Sequence, residues 1–158
     1  MRKYFLTIFL LSGLVLFSCQ VKTTENKDLQ EIKKGEQVYK NVCSACHWKT
    51  VKPKEIRKIK KVVMSGGRPP FNAPPMAEVS ARVKKFYPTE EKFIAFVKDY
   101  ITNPSRKKGV CMPMAFKVFG VMPPIGKNMK EEDKEAVAKW LYHSFSASWE
   151  EFMKKNPH

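Results

Sequence analysis

Two cysteines and a histidine, in Cys43-Ser44-Ala45-Cys46-His47, constrain this 158-residue chain more than any other feature. Thiols at this spacing can reach the two vinyl groups of a single haem, and a histidine directly after the second can ligate the iron from the same side. A chain built this way has to close a pocket around one macrocycle. Covalent attachment then keeps the group from being lost to the medium. Three other uses of these residues stay open. A thioredoxin-like CxxC needs a βαβ setting. A zinc site would draw on Cys43, Cys46, Cys111 and a histidine, with no regular spacing in its second pair. A plain Cys43–Cys46 disulfide would leave His47 unexplained.

The N-terminus says where such chemistry takes place. Arg2 and Lys3 precede an apolar run over 4–17, the plan of a secretory signal and too short to span a membrane comfortably. A short anchor helix left in place is the alternative. Leu16-Phe17-Ser18-Cys19 resembles a bacterial lipobox, so the expected signal peptide is 1–18, with lipidation at Cys19. Several acyl chains would anchor the chain durably, each buried methylene adding about 0.8 kcal/mol. The expected site is the periplasm or another extracytoplasmic membrane face. Haem attachment to CxxCH is itself extracytoplasmic in bacteria. Export bears on the formal net charge of +15, which suits acidic proteins or anionic surfaces. No nucleic-acid role is expected.

Residues 19–28 are polar and read as a tether, leaving 29–158 as one domain. Apolar positions at Leu29, Ile32, Val38 and Val42 give a helical period that ends in the cysteine motif. The stretch 48–75 is basic, then rich in Gly and Pro, and reads as a structured loop, with two or three helical turns possible over 55–64. A short helix fits 76–86. Thr89 caps a helix with acids in its first turn and an apolar face from Phe93, Phe96, Val97, Tyr100 and Ile101. Breakers from Gly109 to Gly126 make 105–128 a loop. A final helix begins near Glu131-Glu132-Asp133, burying Val137, Trp140, Leu141 and Phe145. No strand of convincing length appears, so the fold class is all-α with long loops.

With these parts placed, 31–145 resembles the class I cytochrome c family. Gly35-Glu36-Gln37-Val38-Tyr39 matches the family's Gly-x-x-x-aromatic before the haem motif, and Trp140-Leu141 matches its aromatic-Leu pair on the last helix. Met122-Pro123-Pro124 looks like its methionine loop, and Ala73-Pro74-Pro75-Met76 its proline loop. The resemblance implies a cytochrome c-like fold of several helices and long loops around one covalent haem c. Cys43 and Cys46 would be the thioethers, with His47 and Met122 the axial ligands of the iron. It also implies that Trp140 packs over Gly35 and that a proline-loop carbonyl accepts a hydrogen bond from His47. In the family the proline loop follows the haem motif more closely, so 48–72 reads as an insertion rich in lysine, either a docking surface or a solvated loop.

Eight methionines make the second ligand a real choice. Met122 leads and Met114 is the alternative. Met129 and Met153 are expected to face away from the haem, Met76 to be core, and Met64 belongs to the insertion. His143 reads as a surface histidine and Cys111 as a small buried residue without a partner in the chain. Trp48, Phe71, Phe116 and Phe119 are candidates for the pocket lining, and Arg68 for pairing with a propionate. Paired axial ligands leave electron transfer as the chemistry. The leading expectation is therefore a lipid-tethered carrier passing single electrons between redox proteins with acidic docking surfaces. Second is a cytochrome subunit of a larger oxidoreductase, and third a haem-based sensor or peroxidase. No paired carboxylates, nucleophile–base set or phosphate loop points to catalysis by the chain itself, so it is not read as an enzyme.

Overall fold

The computed structural model describes residues 26–156. The signal segment 1–18 and Cys19 lie outside the described residues, as does the tether up to residue 25. Among the described residues the chain is helical throughout, without a strand. Helix α1 is already formed at 26–28, where the sequence suggests tether, because Asp28 and Glu31 both hold Lys139 of the last long helix, at 3.0 and 2.6 Å.

Helix α1 (26–38) runs into one wide π-turn, Tyr39–Cys43, closed by Ser44 N–H donating to Tyr39 O at 2.9 Å. There follow α2 (Pro53–Met64), α3 (Met76–Phe86), α4 (Glu90–Thr102), α5 (Pro113–Phe119), a 3-10 turn (Ile125–Asn128), α6 (Glu131–His143) and α7 (Trp149–Lys155). The core lies between α4 and α6, with α3 and the C-terminal end of α1 closing its sides. Phe93 of α4 is completely buried and Trp140 of α6 nearly so. Each such side chain contributes roughly 1.5–3 kcal/mol by leaving water. Ser80, a buried polar side chain of α3, donates its hydroxyl to Leu141 O at 2.9 Å, so the α3–α6 contact leaves no orphaned group.

The crossing of α1 over α6 depends on Gly35. A Cβ there would stand 2.0 Å from Ala136 O and 2.6 Å from the Trp140 Cβ. The missing side chain lets Tyr39, one turn on, stack its ring on Trp140 at 4.5 Å. The packing of Trp140 over Gly35 implied by the resemblance is therefore present.

Three elements differ from the sequence expectations. The turns allowed over 55–64 are a regular helix that starts two residues earlier, at 53: Pro53 sits at its first position, and the Lys52 N–H bonds Glu55 Oε2 at 3.3 Å. Helix α5 lies inside the expected loop 105–128. Its Pro113 starts it and Gly120, at φ 77°, stops it, so the breakers mark the two ends of a helix. Helix α7 follows the helix expected to be last. Ser148 and Glu151 form its capping box, and Trp149 is buried with the Arg82 guanidinium over its ring at 4.7 Å.

Replacing Gly35 with Ala should lower stability by about 3 kcal/mol, because the obstacle is the α6 backbone, which has nowhere to move. A denaturant titration of the haem-loaded protein measures this, and an unchanged midpoint would show that the helices can separate at no cost.

Candidate functional site

The π-turn aims the cysteines. By widening the last turn of α1 it brings Cys43 into the interior and leaves Cys46 exposed, with Cys46 N–H and His47 N–H both folded back on Cys43 O at 3.2 and 2.9 Å. The chain beyond is fastened to the proline loop. Asn72 N–H donates to Cys46 O (3.3 Å), Met76 N–H to Trp48 O (2.8 Å) and Ala77 N–H to Lys49 O (3.1 Å), around a parallel bridge between His47 and Ala73. Tyr39 adds its hydroxyl, donated to His47 O at 3.0 Å.

Within that frame, His47 Nδ1 is 2.7 Å from Pro74 O. A carbonyl can only accept, so Nδ1 carries the proton and Nε2 keeps a free lone pair. Burial pushes the His47 pKa down, only partly offset by the Pro74 bond, so the ring is held neutral. Cys43 as a free thiol is pushed up to about 11 by burial and by its neighbour Cys46. That environment favours uncharged sulfur, the state a thioether also has.

Cys43, Cys46, His47 and Met122 all open onto one cavity of about 190 Å³. Its wall comes from almost every element: Val79 and Val83 of α3, Val97 and Ile101 of α4, Phe116 and Phe119 of α5, and Val137 and Leu141 of α6. Among the described residues, no Asp, Glu, Lys or Arg lines it. An uncharged cavity lined by the Cys43 and Cys46 thiols, the His47 imidazole and the thioethers of Met76, Met122 and Met129 fits a covalently held haem on the chemistry of its donors. The competing uses fare worse. The cysteine pair sits at a helix end with no strand among the described residues, and no group of three or more His, Cys, Asp or Glu there could hold a metal ion.

The aromatic candidates divide. Phe116 and Phe119 are on the wall, whereas Trp48 and Phe71 stand outside it. Arg68 is exposed and away from the cavity, so its pairing with a propionate has no support. Met114, 56% exposed, is also off the wall. Met129 is on it, contrary to the expectation that it faces away, because the 3-10 turn over 125–128 swings the chain inward before α6 begins. Met76 is buried core, as expected, and also touches the cavity. Cys111 is half-buried on the wall. His143 is a surface residue, its Nε2 2.9 Å from Glu90 Oε1.

Residues 30–141 match the family described as cytochrome c oxidase, cbb3-type, subunit III. The chain belongs to that family. A protein of Aquifex aeolicus (strain VF5), described as an uncharacterized protein, is 64% identical over 124 residues, which are 78% of this chain and 82% of that one. No solved structure matches. As a class I c-type cytochrome domain, the chain carries covalently bound haem c and transfers electrons through it. Domains of this type are typically extracytoplasmic, and no helix among the described residues is long and apolar enough to cross a membrane.

The Tyr39 hydroxyl secures the His47 carbonyl from the α1 side, and a half-buried bond of this kind is worth about 1 kcal/mol. Tyr39→Phe should keep the stack on Trp140 and lose roughly that amount in a denaturant titration. A loss near zero would mean that water replaces the hydroxyl freely.

Proposed function

We propose that this cytochrome is a single-electron carrier with His47 and Met122 as axial ligands and Cys43 and Cys46 as the thioethers. The observation that carries this reading is the uncharged cavity lined by both His47, whose Nδ1 is engaged by Pro74 O, and Met122. Bound there, the haem iron supplies a one-electron couple whose potential His/Met ligation raises relative to bis-histidine. The chain does the rest. The Pro74 carbonyl orients and polarises the imidazole and the apolar wall excludes water; with His47 and Met122 both holding the iron, small-molecule chemistry there would be discouraged. Met122 is favoured over Met129 because Met129 also packs into the hydrophobic core, whereas Met122 does not.

The wider role follows from position and charge. Tethered through lipid on Cys19, the domain would serve redox proteins at an extracytoplasmic membrane face. Residues 48–72, read as an insertion, hold eight basic side chains and one acid. On α2, Lys54, Arg57, Lys58 and Lys61 make no ion pair among the described residues, which suits an acidic docking surface. The family's description favours a second reading, a cytochrome subunit of a larger oxidase assembly, in which α2 would be an interface. Stable co-purification with other subunits after detergent extraction separates this from a free shuttle.

Met122→Ala should abolish the weak long-wavelength ferric band of methionine ligation while leaving the two-thioether haem spectrum intact. Met129→Leu should keep the band. If the band instead survives in the first variant and vanishes in the second, the ligand is Met129. The untreated ferrous protein should fail to bind carbon monoxide; ready binding would favour the sensor or peroxidase reading.

Electron transfer with an acidic redox protein should slow steeply as salt rises through about 0.1 M, where screening acts over roughly 10 Å. Stopped-flow rates that ignore ionic strength would remove the docking role of α2.

A further inference from the structure

We propose that Trp48, Phe71 and Phe119 form an electron port, a second route between surface and cavity beside the exposed rim at Val42, Cys46 and Val121. The inference rests on the reading of this protein as a one-electron carrier. Phe119 is part of the cavity wall, on the stretch leading to Met122. Its ring centroid is 5.9 Å from that of half-buried Phe71, which is 5.4 Å from Trp48. Trp48 is 41% exposed. The three rings thus run continuously from the wall to solvent, at separations typical of attractive ring pairs.

Neither Trp48 nor Phe71 encloses the cavity, so lining it does not account for them. Their relative placement is nonetheless held on both sides. Trp48 O accepts from Met76 N–H at 2.8 Å, and Asn72 N–H, next to Phe71, donates to Cys46 O at 3.3 Å. The fastening that sets His47 therefore also fixes the spacing of the rings. Near-contact aromatic rings couple electronically better than saturated side chains or gaps of equal length, because their π orbitals lie closer in energy to the tunnelling electron. Charge points to the same place. Trp48 opens the 48–72 segment with its eight basic residues and one acid, so an acidic redox protein drawn there would meet an exposed indole. In each passage one electron moves between the partner and the iron, with no bond made or broken and no proton transferred.

The test uses the haem-loaded mature chain with Cys19 and Cys111 replaced by Ala. A photoactive ruthenium polypyridyl label is attached at Thr50→Cys, two residues from Trp48, or at exposed Met114→Cys, outside the three-ring chain. A flash with a soluble one-electron oxidant converts the label to ruthenium(III). One electron then passes from ferrous iron to the label, leaving ferric iron and ruthenium(II). Phe71→Leu should slow this transfer several-fold for the label at 50 and leave it unchanged for the label at 114, with spectrum and midpoint potential unaltered. Phe71→Tyr should restore the rate. An unchanged rate at 50 in Phe71→Leu would overturn the port, since electrons would then follow the backbone from Trp48 to His47. Equal slowing at both labels would overturn it too, because the haem environment would have changed. Should Phe71→Leu not fold, Trp48→Leu at the surface decides by the same comparison. A parent protein without covalent haem or without the ferric methionine band would instead fail the underlying reading, and its spectrum shows this before any flash.

Discussion

The hydrogen bond from His47 Nδ1 to Pro74 O, 2.7 Å long, is the constraint on which the rest of the site depends. It joins two segments 27 residues apart and decides which imidazole nitrogen is left bare. The bond can form only because the chain on either side is already fastened, through the His47–Ala73 bridge and the backbone bonds from Asn72, Met76 and Ala77. Those bonds in turn anchor the start of α3 beneath the haem motif. Helix α3 then reaches α6 through Ser80 and Leu141, and α6 reaches α1 at Gly35. The loop is closed: the helix that carries the cysteines is held by the helix that packs on the proline-loop helix. Disturbing any one contact shifts the others, because packed interiors have no slack to absorb the change.

The uncharged wall is the second consequence. Among the described residues, every Lys and Arg stays off the cavity wall. A buried unpaired charge would cost several kcal/mol and, beside iron, would bias its oxidation state. Uncharged donors avoid both effects, so the potential is set chiefly by ligand identity and by how dry the wall is.

Much of this was legible in the sequence, for physical reasons that differ by element. Helix α4 announces itself through Thr89, two first-turn acids and a continuous apolar face, and Thr89 Oγ1 accepts from Lys92 N–H at 3.4 Å. The Gly35–Trp140 crossing was legible through the resemblance of 35–39 and Trp140-Leu141 to the family's pattern, and the close approach shows why glycine is needed there. Helix α5 was missed because Pro and Gly are read as breakers, yet both also begin and end helices. Helix α7 was signalled by Ser148-Trp149-Glu150-Glu151, a capping box too short to stand on periodicity alone. The place of Met129 was hidden, since a single 3-10 turn decides which way the next side chain faces and leaves no periodic trace. The divergence of Phe71 from Phe116 was equally hidden: composition marks both as apolar, and only tertiary contact separates a wall residue from one behind it.

Charge is distributed by the same logic. The lysines that hold the helical frame together are paired: Lys34 with Asp133, Lys98 with Glu131 and Glu135, Lys139 with Asp28 and Glu31, Lys108 with Asp99. Each exposed pair adds little to stability. Their larger effect is on the field, because each pair cancels its own charge locally. Basic side chains are densest in 48–72, eight against one acid, in the segment that opens on the exposed Trp48. A net charge of +15 spread evenly would repel cationic partners from every side and guide acidic ones nowhere. A denser patch in 48–72, eight basic side chains against one acid, gives the molecule a direction, and orientation at encounter limits electron transfer between proteins when the distance between centres cannot be shortened by chemistry.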